Sequence, residues 1–148
     1  MDTRIHVLVV DDQEIFRLGL RVGLRQFSDI CIDDEAADGY AALALVAERK
    51  PDVAIVDIWL PGMNGVEVAE QIQQISPETR IMLISGFFDD AAVARGLQLG
   101  VEGIITKTDS PKQFAAFIRR VYDGVFCFSP SLSENPYVCA LATALPNH

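Results

Sequence analysis

The sequence predicts an α/β domain built around a parallel sheet. Three observations carry that prediction. Short apolar runs rich in β-branched residues alternate five times with stretches that repeat at helical spacing. Half of the 148 residues are hydrophobic, enough to bury the core of about one domain. Polar residues with chemical capacity follow the apolar runs directly, where the strands of such a sheet end.

The first strand is expected at 5–10, IHVLVV, and the first helix from about Gln13 to Phe27. Phe16, Leu20, Leu24 and Phe27 make an apolar stripe along that helix, fit to face a sheet. A short strand, ICI, follows at 30–32, then a helix from Tyr40 to Arg49 that ends before Pro51. VAIV at 53–56 is the third strand. The third helix opens at Asn64, which can cap it together with Glu67, and its core face is Val68, Ile72 and Ile75. RIMLI at 80–84 and GIIT at 103–106 supply two more strands. Between them a helix from Asp89 to Leu99 is weakened by Gly96, at a cost of roughly 1 kcal/mol relative to alanine. A fifth helix after Pro111 repeats at Phe114, Phe117, Ile118 and Val121. From Gly124 the composition shifts and Pro130, Pro136 and Pro146 punctuate the chain, marking a domain edge near residue 128. Asn135-Pro136 can start a short helix over 136–145, packed on its own domain, frayed, or held in a dimer or partner contact.

A net charge of −9 and a pI near 4.5 disfavour direct nucleic-acid binding and anionic membranes. No apolar run reaches the roughly 20 residues of a membrane span, and the N-terminus does not resemble a signal peptide, so a cytoplasmic setting is expected. Cys31, Cys127 and Cys139 are scattered without a CxxC pair, and His6 and His148 add no ligand cluster, so neither a disulfide framework nor a zinc site is expected.

The strand ends collect Asp11 and Asp12, Asp57, Ser85 and Lys107. Gathered carboxylates repel: at about 5 Å and an effective dielectric near 20, each pair costs on the order of 3 kcal/mol. A divalent cation would relieve this, and Mg²⁺ suits an oxygen-only set that leaves positions for water and phosphate. Lys107 adds positive charge, and Ser85 beside Gly86 offers donors to an oxyanion. Together these residues suit Mg²⁺-dependent phosphoryl transfer in which one carboxylate is the nucleophile. Singly, each has a plainer role: Asp11, Asp12 and Asp57 as caps or turn formers, Ser85 as a turn hydroxyl, Lys107 as a solvated charge.

The segments VLVVDDQEIFRLGL, VDIWLPGMNGVEV, ISGFFDD and GIITKTDSP resemble the receiver domain of bacterial two-component response regulators over about residues 4–128. RRVYDGVFCFSP resembles the receiver ending of the NarL/FixJ (LuxR-type) group. The resemblance implies a flavodoxin-like, doubly wound five-stranded sheet of order 2-1-3-4-5 with five helices, leaving 129–148 as a tail or linker. It implies Asp57 as the phosphoacceptor for a sensor histidine kinase. Asp11, Asp12, Asp57 and the backbone carbonyl of Trp59 would hold Mg²⁺, and Ser85 and Lys107 would bind the phosphoryl oxygens. Such a chain is not an enzyme beyond its own phosphoryl transfer and dephosphorylation. Its output would be a partner or homodimer surface, regulating transcription through a DNA-binding domain absent from this chain.

The alternatives are a single-domain regulator acting by protein contacts, a receiver-like module that is never phosphorylated, an aspartyl-phosphate hydrolase and a flavin carrier. The hydrolase type wants a second Asp where Trp59 stands, and DDQEIF would repel a flavin phosphate. Where the family commonly carries an inward-swinging aromatic, three residues before Lys107, this chain has Ile104. Phe87 or Phe88 is expected to take part of that reorientation, and the bulk of Trp59 and Phe87 to limit water access to the acyl phosphate.

Overall fold

The computed structural model describes residues 3–144, with side-chain surroundings as far as Ala140. Strands and helices alternate: β1 (Ile5–Val10), α1 (Glu14–Leu24), β2 (Ile30–Ala36), α2 (Gly39–Arg49), β3 (Val53–Asp57), α3 (Gly65–Ile75), β4 (Arg80–Ser85), α4 (Asp90–Leu99), β5 (Gly103–Thr106), α5 (Pro111–Tyr122), β6 (Cys127–Phe128) and α6 (Pro136–Ala144). All strand pairs are parallel, in the order β2-β1-β3-β4-β5-β6. The expected flavodoxin-like order is therefore present, extended by a two-residue strand at the edge of β5. Cys127 and Phe128 pair with Gly103 and Ile104 there, which covers backbone groups an edge strand would otherwise expose.

The period of two along each strand divides the core. Leu8, Val10, Ala54 and Val56 point to the layer of α2, α3 and α4, and Val7, Val9 and Ile55 to the layer of α1 and α5. Burial on both faces explains why the strands read as continuous apolar runs rather than alternating ones.

Helix ends follow their caps. Asp38, Asn64 and Asp89 each accept a backbone N–H of the first turn, and Ser110 with Gln113 forms a complete capping box. Two expectations need correction. Helix α1 stops at Leu24, and Phe27 reaches the core from the following turn. Ile75 is 37% exposed, because α3 turns its last residue outward and Ala69 joins Val68 and Ile72 on the buried face. Gly96 has a packing reason: an added Cβ would lie 2.9 Å from Leu83 Cδ1, so a larger residue would force the buried Leu83 side chain to shift.

After Phe128 a 3₁₀ turn (Pro130–Leu132) leads into α6, which packs against α4. Leu132 and Val138 are buried in the α2–α3–α4 layer. Asn135 Oδ1 accepts from the amides of Tyr137 and Val138, and its Nδ2 donates to Asp90 Oδ1 at 3.1 Å. Leu145, the expected end of this helix, lies outside the described residues. No helix among the described residues is long and apolar enough to cross a membrane.

Candidate functional site

Parallel strands that stop at one edge deliver their next residues to one place. Asp11 follows β1, Asp57 ends β3, Ser85 ends β4 and Lys107 follows β5. Asp11, Asp57 and Ser85 are buried, at 0%, 3% and 0% exposure, while Asp12 is exposed.

Lys107 joins the carboxylates. Its Nζ lies 3.0 Å from Asp57 Oδ2 and 2.6 Å from Asp11 Oδ2, and it donates to Gln13 Oε1 at 2.8 Å. The ammonium also sits over the Phe16 ring, 4.9 Å from its centroid. Burial works against the charge of Lys107, but Asp11 and Asp57 outweigh it and raise its pKa above the ordinary lysine value. Asp57 moves upward because burial penalises its charge more than the Trp59 amide and Lys107 favour it.

Each carboxylate has one oxygen committed and one facing the cluster. Asp57 Oδ1 accepts from Trp59 N at 3.0 Å, and Asp11 Oδ1 accepts from Gln13 N at 2.8 Å. Asp11 Oδ2 is buried, and the Lys107 ammonium at ion-pair distance is its one partner among the described residues. A buried carboxylate oxygen in that condition favours a second cation. Oxygens of Asp11, Asp12 and Asp57 lie within 4.8 Å of one another, a hard, oxygen-only set compatible with Mg²⁺.

Ser85 is at the cluster's edge but engaged elsewhere. Its hydroxyl donates to the Phe87 carbonyl at 2.6 Å and accepts from the Phe87 amide at 3.1 Å. Ile104 is fully buried, and so holds no exposed position from which a ring could swing inward. Phe88 is buried at 7% exposure. Trp59 and Phe87 are 61% and 73% exposed, and Trp59 lines a shallow cleft with Val66, Ala92 and Arg95. Both rings are thus largely solvent-exposed, on the loops that follow Asp57 and Ser85.

Gln13 and Phe16 escaped sequence reasoning, although both touch Lys107. Gln13 follows the acid pair directly, and that position in the first strand–helix loop was the available signal.

Residues 7–119 match the response regulator receiver domain family. The response regulator protein VraR of Staphylococcus aureus is 37% identical over 128 residues, which are 86% of this chain and 61% of VraR. The chain therefore spans less than two thirds of the curated relatives it matches. The signal receiver domain of the response regulator NarL from Mycobacterium tuberculosis is 33% identical, with a TM-score of 0.77 over 82% of this chain and 98% of that one. A LuxR-family two-component response regulator from Aurantimonas is 26% identical, with a TM-score of 0.85 over 93% of this chain and 99% of that one.

Proposed function

Because this chain belongs to the response regulator receiver family, we propose that Asp57 is its phosphoacceptor and that a sensor histidine kinase is the donor. The observation that carries this is the pairing of buried Asp57 with Lys107 at 3.0 Å, beside two further carboxylates at the strand ends. A carboxylate oxygen of Asp57 attacks phosphorus while the bond to the donor's leaving atom breaks, giving an acyl phosphate. Trp59 N–H orients the nucleophile through Oδ1. Lys107 is placed to hold a phosphoryl oxygen without moving far, and Gln13 steadies the ammonium.

Asp11, Asp12 and Asp57, with the backbone carbonyl of Trp59, would hold Mg²⁺. Bound there, the ion supplies charge neutralisation for the incoming phosphoryl group. The chain acts on no substrate beyond its own phosphoryl transfer and dephosphorylation, and works in the cytoplasm. Its output is a switched protein surface, through a partner or a second copy; DNA contact would belong to a domain outside this sequence.

Ser85 supplies the switch. When its hydroxyl donates to a phosphoryl oxygen, the Phe87 carbonyl loses its donor, and the loop entering α4 is released from the bond that holds it. Phe87 and Phe88 are then the rings that report the change, in place of an aromatic at Ile104. Adding beryllofluoride with Mg²⁺ is expected to shift the NMR signals of both rings, and Ser85→Ala to abolish the shift. Unchanged ring signals in the wild-type protein would sink the switch.

Phosphorylation itself is read by intact mass after incubation with Mg²⁺ and acetyl phosphate or phosphoramidate. One added phosphoryl group is expected, absent in Asp57→Asn and absent without Mg²⁺. No gain would favour an unphosphorylated module, and sustained turnover of phosphate esters a hydrolase.

A further inference from the structure

His6 reads as an isolated ligand in the sequence, but the sheet corrects this. Parallel pairing of β1 with β2 sets His6 opposite Cys31, and neighbours in register point to the same face. Asp33, two residues beyond Cys31, falls where the register shifts between Val7 and Leu8, so it has no partner in β1. Bulges of this kind re-aim a side chain. The result is a cluster in which His6 Nδ1 bonds Asp33 Oδ2, and Cys31 Sγ donates to Asp33 Oδ1 at 2.8 Å.

We propose that His6, Cys31 and Asp33 form a second metal site, for a borderline transition-metal ion of the Zn²⁺ class, at the end of the sheet away from Asp57. His6 and Asp11 are five residues apart along β1, so the two sites are separated by roughly 16 Å at the usual rise per strand residue.

One nitrogen, one sulfur and one carboxylate oxygen lie within 4.8 Å of one another. Tetrahedral Zn²⁺ with bonds of about 2.0–2.3 Å sets its ligand atoms roughly 3.3–3.8 Å apart, so side-chain shifts of about 1 Å, which draw His6 and Cys31 back from Asp33, make room for the ion. The donor set rejects Mg²⁺, which prefers oxygen alone. His6 and Asp33 side chains are 31% and 33% exposed, which leaves access for the ion and for a water as fourth ligand.

The contacts to Asp33 are those of a protonated thiol and a protonated Nδ1. The carboxylate of Asp33 now holds the two groups that would bind metal, and coordination replaces those bonds with metal bonds while the thiol proton leaves to solvent and the Nδ1 proton of His6 leaves to solvent or shifts to Nε2. Arg4 Nη1 lies 3.8 Å from Cys31 Sγ and favours the thiolate. The His6 amide donates to Asp52 Oδ2 at 2.9 Å, which fixes the strand beneath the imidazole. Asp34, Lys50 and Asp52 line the same surface cleft.

The test is titration of the whole chain with Co²⁺, a spectroscopic stand-in, in excess Mg²⁺ to occupy the oxygen-only carboxylates. A thiolate-to-cobalt charge-transfer band saturating at one equivalent and displaced by Zn²⁺ is expected. Cys31→Ser should remove the band, and His6→Gln or Asp33→Asn should weaken Zn²⁺ by more than about 10-fold. Far-UV circular dichroism checks that each variant is folded. Absence of the band in the wild-type protein overturns the proposal, as does a band that survives Cys31→Ser and disappears in Cys139→Ser.

Discussion

Gly65→Ala is expected to destabilise the protein by about 3 kcal/mol or more, lowering Tm by roughly 10 °C, and to slow phosphorylation of Asp57 with it. The reason lies in how the chain turns from β3 into α3. Gly65 N donates to the Ile58 carbonyl at 3.0 Å, which pulls the start of α3 onto the end of the strand that carries Asp57. A Cβ at residue 65 would stand 2.6 Å from Ile58 Cα and closer still to the Asp57 carbonyl oxygen. Both are backbone atoms, so no rotamer change relieves the clash; α3 or the Asp57 loop must move. Gly62→Ala is the informative comparison. Its φ of 80° is left-handed, but the nearest atom to an added Cβ is Tyr40 Cε2 at 3.5 Å. That substitution costs backbone strain of about 1–2 kcal/mol without displacing Asp57. Thermal unfolding and the rate of mass gain with acetyl phosphate separate the two. Equal losses in both variants would show that close approach at Gly65 does not set the position of Asp57.

Much of this site was legible because its logic is topological. In a parallel sheet, the residue after each apolar run goes to the same edge, so Asp11, Asp57, Ser85 and Lys107 could be gathered from strand ends alone. What was illegible depends on register, rotamer and packing. The bond from Ser85 to the Phe87 carbonyl is a side-chain choice between two acceptors, and no letter of the sequence distinguishes them. Pairing of His6 with Cys31 needs the β1–β2 register, and the placement of Asp33 needs the bulge within it. β6 is two residues long, too short for periodicity to signal. Docking of α6 rests on Val138 meeting the α4 layer, and an apolar residue alone does not say which surface covers it. Ile75 shows the same limit inside a helix, since correct spacing counts only while the partner surface continues beneath it.

Lys107→Ala is expected to reduce phosphorylation by a small-molecule donor about 10²–10³-fold and to cost the metal-free protein about 3 kcal/mol. The ammonium, 14% exposed, is the cation that two buried carboxylates share at 2.6 and 3.0 Å. Its removal leaves Asp11 and Asp57 facing each other without compensation, and costs the cation–π contact with Phe16. Lys107→Met fills more of the same volume without charge, so a similar loss in Met and Ala variants assigns the cost to charge rather than packing. Mg²⁺ should recover part of the lost Tm in both, since a divalent ion on the same carboxylates replaces the missing positive charge. Phosphorylation should stay low, because no other side chain reaches Asp57 Oδ2 from β5.

The pH dependence in EDTA supplies an independent check. Burial raises the Asp57 pKa above its ordinary 3.8, so the folded state binds more protons than the unfolded one. The associated stability is complete below that ordinary value and is lost as pH rises through the raised one. Without Lys107 the pKa rises further and the loss with pH becomes larger. A Lys107→Ala protein whose stability falls no faster with pH than the wild type would mean that the lysine does not hold Asp57 in its charged form.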